Sequence, residues 1–277
     1  MAIHLVTDST CDLPEVLLEK YNIHIIPLNV HFGDVTYLDK KELSSNEFYH
    51  KLSKSEVHPS TSQPSPYDFV KCYEEIYQQG DTIISIHLSS KLSGTIQSAN
   101  IAKEMLPDYD IRIVDSELAS LAMGSIVLEV AKWIQAEWHV DDILEAFSLL
   151  KKRVTPYFLV DTLEYLQKGG RIGKAQALVG SLLDIKPILT IANGEVEPFD
   201  KVRNKKKALN KIMDIFKEKI GSHPEGIALM YSGADFQVDE IIETLKEQFN
   251  CDDIVVSQFG PVIGVHIGPG AIGISMY

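Results

Sequence analysis

The sequence has little of what marks several large classes of protein. Its three cysteines, Cys11, Cys72 and Cys251, lie far apart and without Cys-x-x-Cys spacing, so neither a disulfide framework nor a zinc site is predicted. The nine histidines show no His-Glu-x-x-His or other ligand spacing. We therefore expect no metal site.

Basic charge is also scarce. The formal net charge is −13 at pH 7, whereas a nucleic-acid-binding protein needs a basic surface to neutralise phosphates. No apolar run approaches the roughly 20 residues of a membrane span, and residues 1–10 lack the basic and apolar regions of a signal peptide. We expect a cytoplasmic protein without a nucleic-acid partner.

What is present is typical of a globular α/β protein. The hydrophobic fraction of 45% and the charged fraction of 23% are those of globular chains, and 277 residues predict two domains. Through residues 1–153 short apolar strands alternate with helices, which predicts a doubly wound, Rossmann-like parallel sheet. Residues 154–277 predict a mixed α+β domain, in which Asn193-Gly194 marks an antiparallel hairpin.

Three local patterns make sharper predictions. Asp12, before Pro14, is predicted to be the N-cap of a helix over Leu13–Tyr21. Ile23–Phe32 is predicted to form one strand, and Lys174–Leu183 a helix.

The loop from Ser89 to Thr95 is the most informative stretch. It follows the apolar strand Asp81–Leu88 and precedes a helix, so it lies at the carboxyl end of a parallel strand, where open α/β sheets bind ligands. The free amides of a helix start favour an anion. We predict that Ser93, Gly94 and Thr95 hold a carboxylate or phosphate; the alternative is that Ser93 or Thr95 only caps the helix.

Further hydroxyl-rich loops border other predicted strands of the first half. Because the carboxyl ends of parallel strands meet at one edge of a sheet, these loops are predicted to converge. Their neutral donors suit one small anionic head group. The loops contain Ser9-Thr10, Thr61-Ser62, Ser89-Ser90 and Asp115-Ser116.

Three features of the second half have two interpretations each. His266 is either a core histidine or a donor to the same ligand. The loop Lys168–Lys174 is either solvated or, through Arg171, a contact for a carboxylate or phosphate. The basic cluster from Lys201 to Lys211 is either a solvated helix face or a docking patch for an acidic partner or an anionic membrane surface.

Enzyme motifs are incomplete. Gly268, Gly270 and Gly273 satisfy Gly-x-Gly-x-x-Gly, but the four residues after them leave no room for the helix that dinucleotide binding requires. Ser93 lies outside a Gly-x-Ser-x-Gly elbow, and His266 is its only candidate base. We expect no nucleotide cofactor, and a serine-dependent acyl hydrolase using Ser93 and His266 is the enzyme alternative.

Taken together, the motifs resemble the DegV family, and the resemblance spans nearly the whole chain in the right order. The segments that carry it are Asp8-Ser9-Thr10, Thr61-Ser62-Gln63-Pro64-Ser65, Ser89-Ser90-Lys91-Leu92-Ser93-Gly94-Thr95, Val114-Asp115-Ser116, Leu166-Gln167-Lys168-Gly169-Gly170-Arg171-Ile172 and His266-Ile267-Gly268-Pro269-Gly270.

The resemblance implies a two-domain fatty-acid-binding protein whose ligand lies between the domains. Some members of the family are the acyl-binding subunit of bacterial fatty acid kinase. They present the carboxylate to a separate ATP-binding subunit, which makes acyl phosphate for phospholipid synthesis. The resemblance therefore implies a non-catalytic lipid-binding protein whose only bound group is the fatty acid.

The resemblance also implies roles for particular residues. Thr61 and Ser93 match the positions that hold the carboxylate, and Gly94 contributes its backbone. His266 and Arg171 match the polar network beside it, with His266 within reach of the carboxylate.

Two further groups of residues take secondary roles by the same resemblance. Ser62 and Thr95 are expected to support the polar network. Arg203, with Lys205 and Lys206, falls in the segment expected to dock the kinase subunit.

The two ends of such a ligand contribute differently to its binding. Burying about 14 methylenes contributes at most roughly 11 kcal/mol at ~0.8 kcal/mol each, so the tail supplies most of the affinity. An unpaired buried carboxylate is costly, so several donors are expected to converge on it and to fix its orientation.

Overall fold

The computed structural model describes residues 2–180, 186–233, 238–251 and 254–277. Within them the strands are β1 Ile3–Asp8, β2 Ile23–Ile26, β3 Asn29–Phe32, β4 Val35–Leu38, β5 Ser60–Ser62, β6 Thr82–His87, β7 Asp110–Asp115, β8 Thr155–Leu159, β9 Lys186–Ala192, β10 Glu195–Val202, β11 Ile227–Tyr231, β12 Ile254–Gln258 and β13 Ile272–Met276. The helices are α1 Glu15–Lys20, α2 Ser45–Leu52, α3 Pro66–Ile76, α4 Thr95–Met105, α5 Ser120–Gln135, α6 Val140–Arg153, α7 Glu164–Lys168, α8 Lys205–Ile220, α9 Val238–Phe249 and α10 Pro261–Ile267.

The first sheet is fully parallel, with strand order β2-β1-β6-β7. Ile83, Ile84 and Ile86 of β6 are all fully buried, as expected for a strand covered on both faces. Helices α3 and α4 pack on one face, around Phe69 and Tyr73. Helix α5 packs on the other. The predicted parallel α/β arrangement is confirmed.

The prediction of one strand over Ile23–Phe32 is wrong. Pro27 lies in its middle, and because proline has no amide proton it interrupts a strand ladder. The chain leaves the parallel sheet at this point, and β3 pairs antiparallel with both β4 and β5 in a separate three-stranded sheet. Helix α10 contacts β3 and β5, so this small sheet carries Thr61 to the second half of the chain.

The second large sheet is mixed, with order β10-β9-β8-β13-β11-β12. The predicted hairpin is confirmed: β9 and β10 are antiparallel, and Asn193 and Gly194 have φ of +51° and +80°. The sequence patterns do not predict β13, because glycines surround it and weaken any strand signal. In the structure β13 lies in the sheet interior, antiparallel to both β8 and β11.

Side chains of this second sheet alternate between two apolar layers. Leu159 and Leu229 face the layer that α8 and α9 cover. Phe158 and Met230 face the layer shared with α5 and the first sheet. Gly273 of β13 lies between Phe158 and Met230 in the strand register, so this second face has a shallow depression there.

The prediction that Asp12 is the N-cap of the first α-helix is wrong, because Pro14 takes that position. Helix α1 begins at Glu15, after Pro14, and the Asp12 side chain is fully buried with φ of +55°. Its carboxylate pairs with the Lys40 ammonium at 2.7 Å and accepts hydrogen bonds from the Gly260 amide at 3.0 Å and the Ser120 hydroxyl at 2.6 Å. A residue predicted to begin a helix therefore ties three distant segments together.

Three further predictions concern a helix, membrane-spanning segments and the division into domains. The segment predicted as a helix over Lys174–Leu183 is a 3-10 turn over Gly173–Leu178, and positions 181–183 lie outside the described residues. Among the helices of the described residues, none is long and apolar enough to cross a membrane. The division into domains after Arg153 stays a prediction.

Candidate functional site

A cavity lies where the second large sheet faces α5, α10 and the loop that follows β6. It contains about 910 Å³ of space between atoms, counting its open mouth. Most of the wall is apolar and comes from both halves of the chain. Examples are Leu28, Leu88, Ala122, Phe158, Met230 and Phe259.

One end of the cavity is polar, and five of the predicted residues line it: Thr61, Ser62, Ser93, Arg171 and His266. Thr61, on the edge strand β5, has its Oγ1 atom 2.9 Å from Nε2 of His266 on α10. These residues are 205 positions apart in the sequence. The small three-stranded sheet and α10 are therefore what bring the two side chains together.

His266 is held as a neutral imidazole. Burial, followed by the smaller effects of the nearby Arg171 and His58 charges, lowers its pKa from 6.5 to about 3. Its Nδ1 atom is sealed from solvent and has no hydrogen-bond partner among the described residues. A side chain at Gly169 would not fit, because its Cβ would lie 2.2 Å from this Nδ1. Nε2 is thus the ring atom that is engaged at the cavity.

Ser93 reaches the cavity from the first half of the chain. Its Oγ lies 2.9 Å from the hydroxyl oxygen of Thr95, the first residue of α4. Gly94 is the N-cap of α4 and gives the helix no side-chain cap, so amides of the first turn remain available to an anion. Among the described residues that line the cavity, Gly94 and Thr95 do not occur. Thr95 supports Ser93 through the contact between their hydroxyl groups.

Arg171 supplies positive charge at the same end. Its Nε donates to the carbonyl of Leu92 at 3.0 Å, and its Nη1 donates to the carbonyl of Gly169 at 2.8 Å. Within the described parts of the chain no carboxylate forms an ion pair with it. The arrangement can therefore accept a carboxylate, with charge from Arg171 and hydroxyl donors from Thr61 and Ser93.

Among the predicted residues, Ser62 lines the described cavity but has other hydrogen-bond partners, whereas Arg203, Lys205 and Lys206 lie outside the lining. The Ser62 hydroxyl accepts a hydrogen bond from Asn29 at 3.2 Å and lies 3.0 Å from Nε2 of His31, away from the Thr61 side chain. Lys205 donates from Nζ to the carbonyl of Gly270 at 2.8 Å, and burial lowers its pKa. Arg203 and Lys206 are exposed.

The sequence patterns do not predict a buried polar network that lies below the loop. The Asp8 carboxylate lies 3.1 Å from Nδ1 of His87 and accepts the amide of Leu88 at 3.0 Å. Nε2 of His87 is 2.7 Å from the Ser85 hydroxyl, which is 2.8 Å from the Tyr73 hydroxyl. The signal was available: Ser85 and His87 alternate with isoleucines in β6 and therefore share one face.

This network has the connectivity of a Ser-His-Asp triad, but it does not lie at a ligand site. Ser85, His87 and Asp8 are all fully buried, and none of them lines the cavity. Its effect is structural, because it fixes the first amide of the loop that carries Ser93.

Comparison with known proteins gives the family. A model of the DegV family, described as uncharacterised proteins, matches residues 2–277. Protein DegV of Bacillus subtilis is 40% identical over 276 residues, which covers 99% of this chain and 98% of the relative. A DegV domain-containing protein of Listeria monocytogenes is 40% identical over 275 residues, covering 99% and 97%. The chain belongs to the DegV family.

Solved structures agree with this assignment. A DegV family protein from Thermus thermophilus, described as fatty acid binding, matches with a TM-score of 0.94 and 36% identity, covering 100% of this chain and 99% of its own. DegV from Bacillus subtilis, described as a fatty acid binding protein, matches with a TM-score of 0.92 and 40% identity, covering 100% and 99%. The fold class predicted from the sequence is confirmed.

The neutrality of His266 leads to a testable titration. We expect its imidazole to titrate well below 6.5 in the folded protein, as followed by the ring nitrogen shifts in NMR spectra of ¹⁵N-labelled protein. His266→Gln assigns the signal by removing it. Titration at the unshifted value of 6.5 would contradict the prediction.

The same shift has a consequence for stability. As the pH falls from 6.5 towards about 3, the unfolded chain takes up a proton on this residue and the folded protein does not. This group therefore makes the protein less stable over that window, and His266→Gln should show a smaller loss of stability than the wild type.

Proposed function

We propose that this protein binds a long-chain fatty acid in the cavity, with the carboxylate at the polar end and the acyl chain between the two large sheets. One observation carries the proposal. A mostly apolar cavity is lined by Arg171, which has no carboxylate partner among the described residues, and by the hydroxyl-bearing residues Thr61 and Ser93.

The relatives support the same chemistry. Two solved DegV proteins that match the whole of this chain are described as fatty acid binding. In our proposal Thr61, Ser93 and His266 contact the carboxylate, the amide of Gly94 is available beside them, and Thr95 and Ser62 support this set indirectly.

The contacts of Ser93 favour a binding protein over a hydrolase. A nucleophilic serine needs a base within hydrogen-bond reach, and the described partner of the Ser93 hydroxyl is Thr95. The described partner of His266 Nε2 is Thr61. We therefore propose a non-catalytic, cytoplasmic lipid carrier.

Replacing the hydroxyls at the polar end tests the proposal. We expect Ser93→Ala and Thr61→Val each to weaken palmitate binding by about tenfold, since each removes one hydrogen bond to a charged group. Isothermal titration of delipidated protein measures this effect, and mass spectrometry of the extracted lipid identifies what co-purifies.

Ser90→Ala is the matched control, because Ser90 is an exposed serine of the same loop. Palmitate binding by Ser93→Ala equal to that of the control would exclude Ser93 from the head-group site. Ester hydrolysis that disappears in Ser93→Ala would instead favour the hydrolase.

Gly273 provides a test at the apolar end. A Cβ at this position would lie 3.2 Å from Cε of Met230 and 3.3 Å from Cζ of Phe259, and both of these residues line the cavity. We expect Gly273→Ala to push them into the cavity and to weaken stearate binding more than myristate binding. Competition titrations give the affinity ratio.

Ser275→Ala is the control for this substitution, because Ser275 lies on the same face of β13 but does not line the cavity. An unchanged ratio of stearate to myristate affinity in Gly273→Ala would show that this strand does not limit the depth of the site.

The second part of the proposal is that the protein presents its fatty acid to the ATP-binding subunit of a fatty acid kinase, for acyl-phosphate formation that feeds phospholipid synthesis. Arg203 and Lys206 are exposed at the start of α8, and Lys205 bonds to Gly270 in the segment that follows α10. A basic surface thus adjoins the helix that carries His266, and it also suits brief contact with an anionic membrane.

Charge reversal tests this pairing. We expect Arg203→Glu combined with Lys206→Glu to slow ATP-dependent acyl-phosphate formation by a purified kinase subunit, while palmitate affinity is unchanged. Hydroxylamine trapping of the acyl phosphate measures the rate. Lys217→Glu, at the other end of α8, is the control, and equal rates in all three proteins would refute docking at this surface.

A further inference from the structure

The loop that carries Ser93 is contacted by the tip of the β9–β10 hairpin. The Ser89 hydroxyl donates a hydrogen bond to the carbonyl of Gly194 at 2.8 Å, and both residues are buried. Beside this contact, the Lys91 ammonium lies 3.5 Å from the Glu195 carboxylate. A hairpin turn, which would ordinarily extend into solvent, is packed here against a loop of the other half of the chain.

Ser89 transmits this contact to the head-group residue. Its carbonyl accepts hydrogen bonds from the amide of Leu92 at 2.9 Å and from the amide of Ser93 at 3.1 Å. The side chain of Ser89 therefore holds the hairpin while its backbone holds Ser93. A displacement of the hairpin tip shifts Ser89 and, through it, the Ser93 hydroxyl.

Gly194 is the residue that permits so close an approach. A Cβ at this position would lie 2.5 Å from the Ser89 hydroxyl oxygen, which is closer than van der Waals contact allows. Its φ of +80° also disfavours any other residue. The turn type explains the positive φ, but it does not explain the approach to Ser89.

We propose that the Asn193-Gly194 turn is a positioning element of the fatty-acid site, acting through Ser89 on Ser93. The inference rests on the proposed function and adds to it a residue of the second domain that does not line the cavity. Gly194 is not a ligand contact, and its effect is on how well the carboxylate is held.

Gly194→Ala tests this inference, with palmitate and palmityl alcohol as the two probes. The alcohol keeps the tail but lacks the charge that the head-group site recognises. We expect Gly194→Ala to weaken palmitate binding about tenfold, the effect of losing one charge-assisted hydrogen bond, and to leave palmityl alcohol binding nearly unchanged. A general loosening of the fold would weaken the binding of both ligands equally. That result would overturn the proposal.

Gly33→Ala is the matched control. Gly33 is also a hairpin glycine, with φ of +59°, but a Cβ there meets no atom within 4 Å. The two substitutions share the backbone strain and differ in the contact with Ser89. If Gly33→Ala changes the ratio of palmitate to alcohol affinity as much as Gly194→Ala does, strain alone is responsible and the proposal is wrong.

Ser89→Ala completes a double-mutant cycle and remains informative if Gly194→Ala fails to fold. Alone, Ser89→Ala should weaken palmitate binding several-fold and leave palmityl alcohol binding nearly unchanged. Combined with Gly194→Ala it should bind as Ser89→Ala does alone, because the added Cβ no longer meets Oγ. Additive losses would overturn the proposal. Wild-type protein that does not bind palmitate would refute the proposed function itself, whereas normal wild-type binding with unaffected variants would refute only this inference.

Discussion

The loop between β6 and α4 cannot satisfy its own backbone, and this constraint shapes the site. Buried amides and carbonyls need partners, and the loop finds them on several elements. Asp8 accepts the amide of Leu88, the carbonyl of Leu118 accepts the amide of Ser89, and Arg171 donates to the carbonyl of Leu92. Both halves of the chain thus hold the loop. The polar end of the cavity exists only where the two halves of the chain meet.

The parts of this arrangement that the sequence predicts are the local ones. The apolar run of β6, the loop after it and the start of α4 at Thr95 follow from periodicity and glycine placement, and the structure agrees with them. The approach of Thr61 to His266 could not be predicted by such reasoning, because it depends on Pro27 diverting the chain into a small sheet. Only the family resemblance placed the two residues together.

Tertiary contacts also determine what other local patterns do. Asp12 has the local features of a helix cap, yet tertiary contacts with Lys40 and Gly260 determine its role. Gly268 and Gly270 have the spacing of a nucleotide motif, but they leave room for Tyr165 and Asp161, since a Cβ at either position would overlap those side chains. Local pattern identifies a residue type that permits an unusual contact, and only the fold determines which contact is made.

The placement of β13 has a consequence for how the protein folds. Strands β8, β9 and β10 form one side of the second large sheet, strands β11 and β12 form the other, and β13 is the only strand in the described structure that joins the two sides. Each side therefore has an unpaired edge until β13 inserts between them. Such long-range, late pairing is slow, and open edges invite association between chains. Until β13 is in place, the edges of β8 and β11 are open to pairing with other chains.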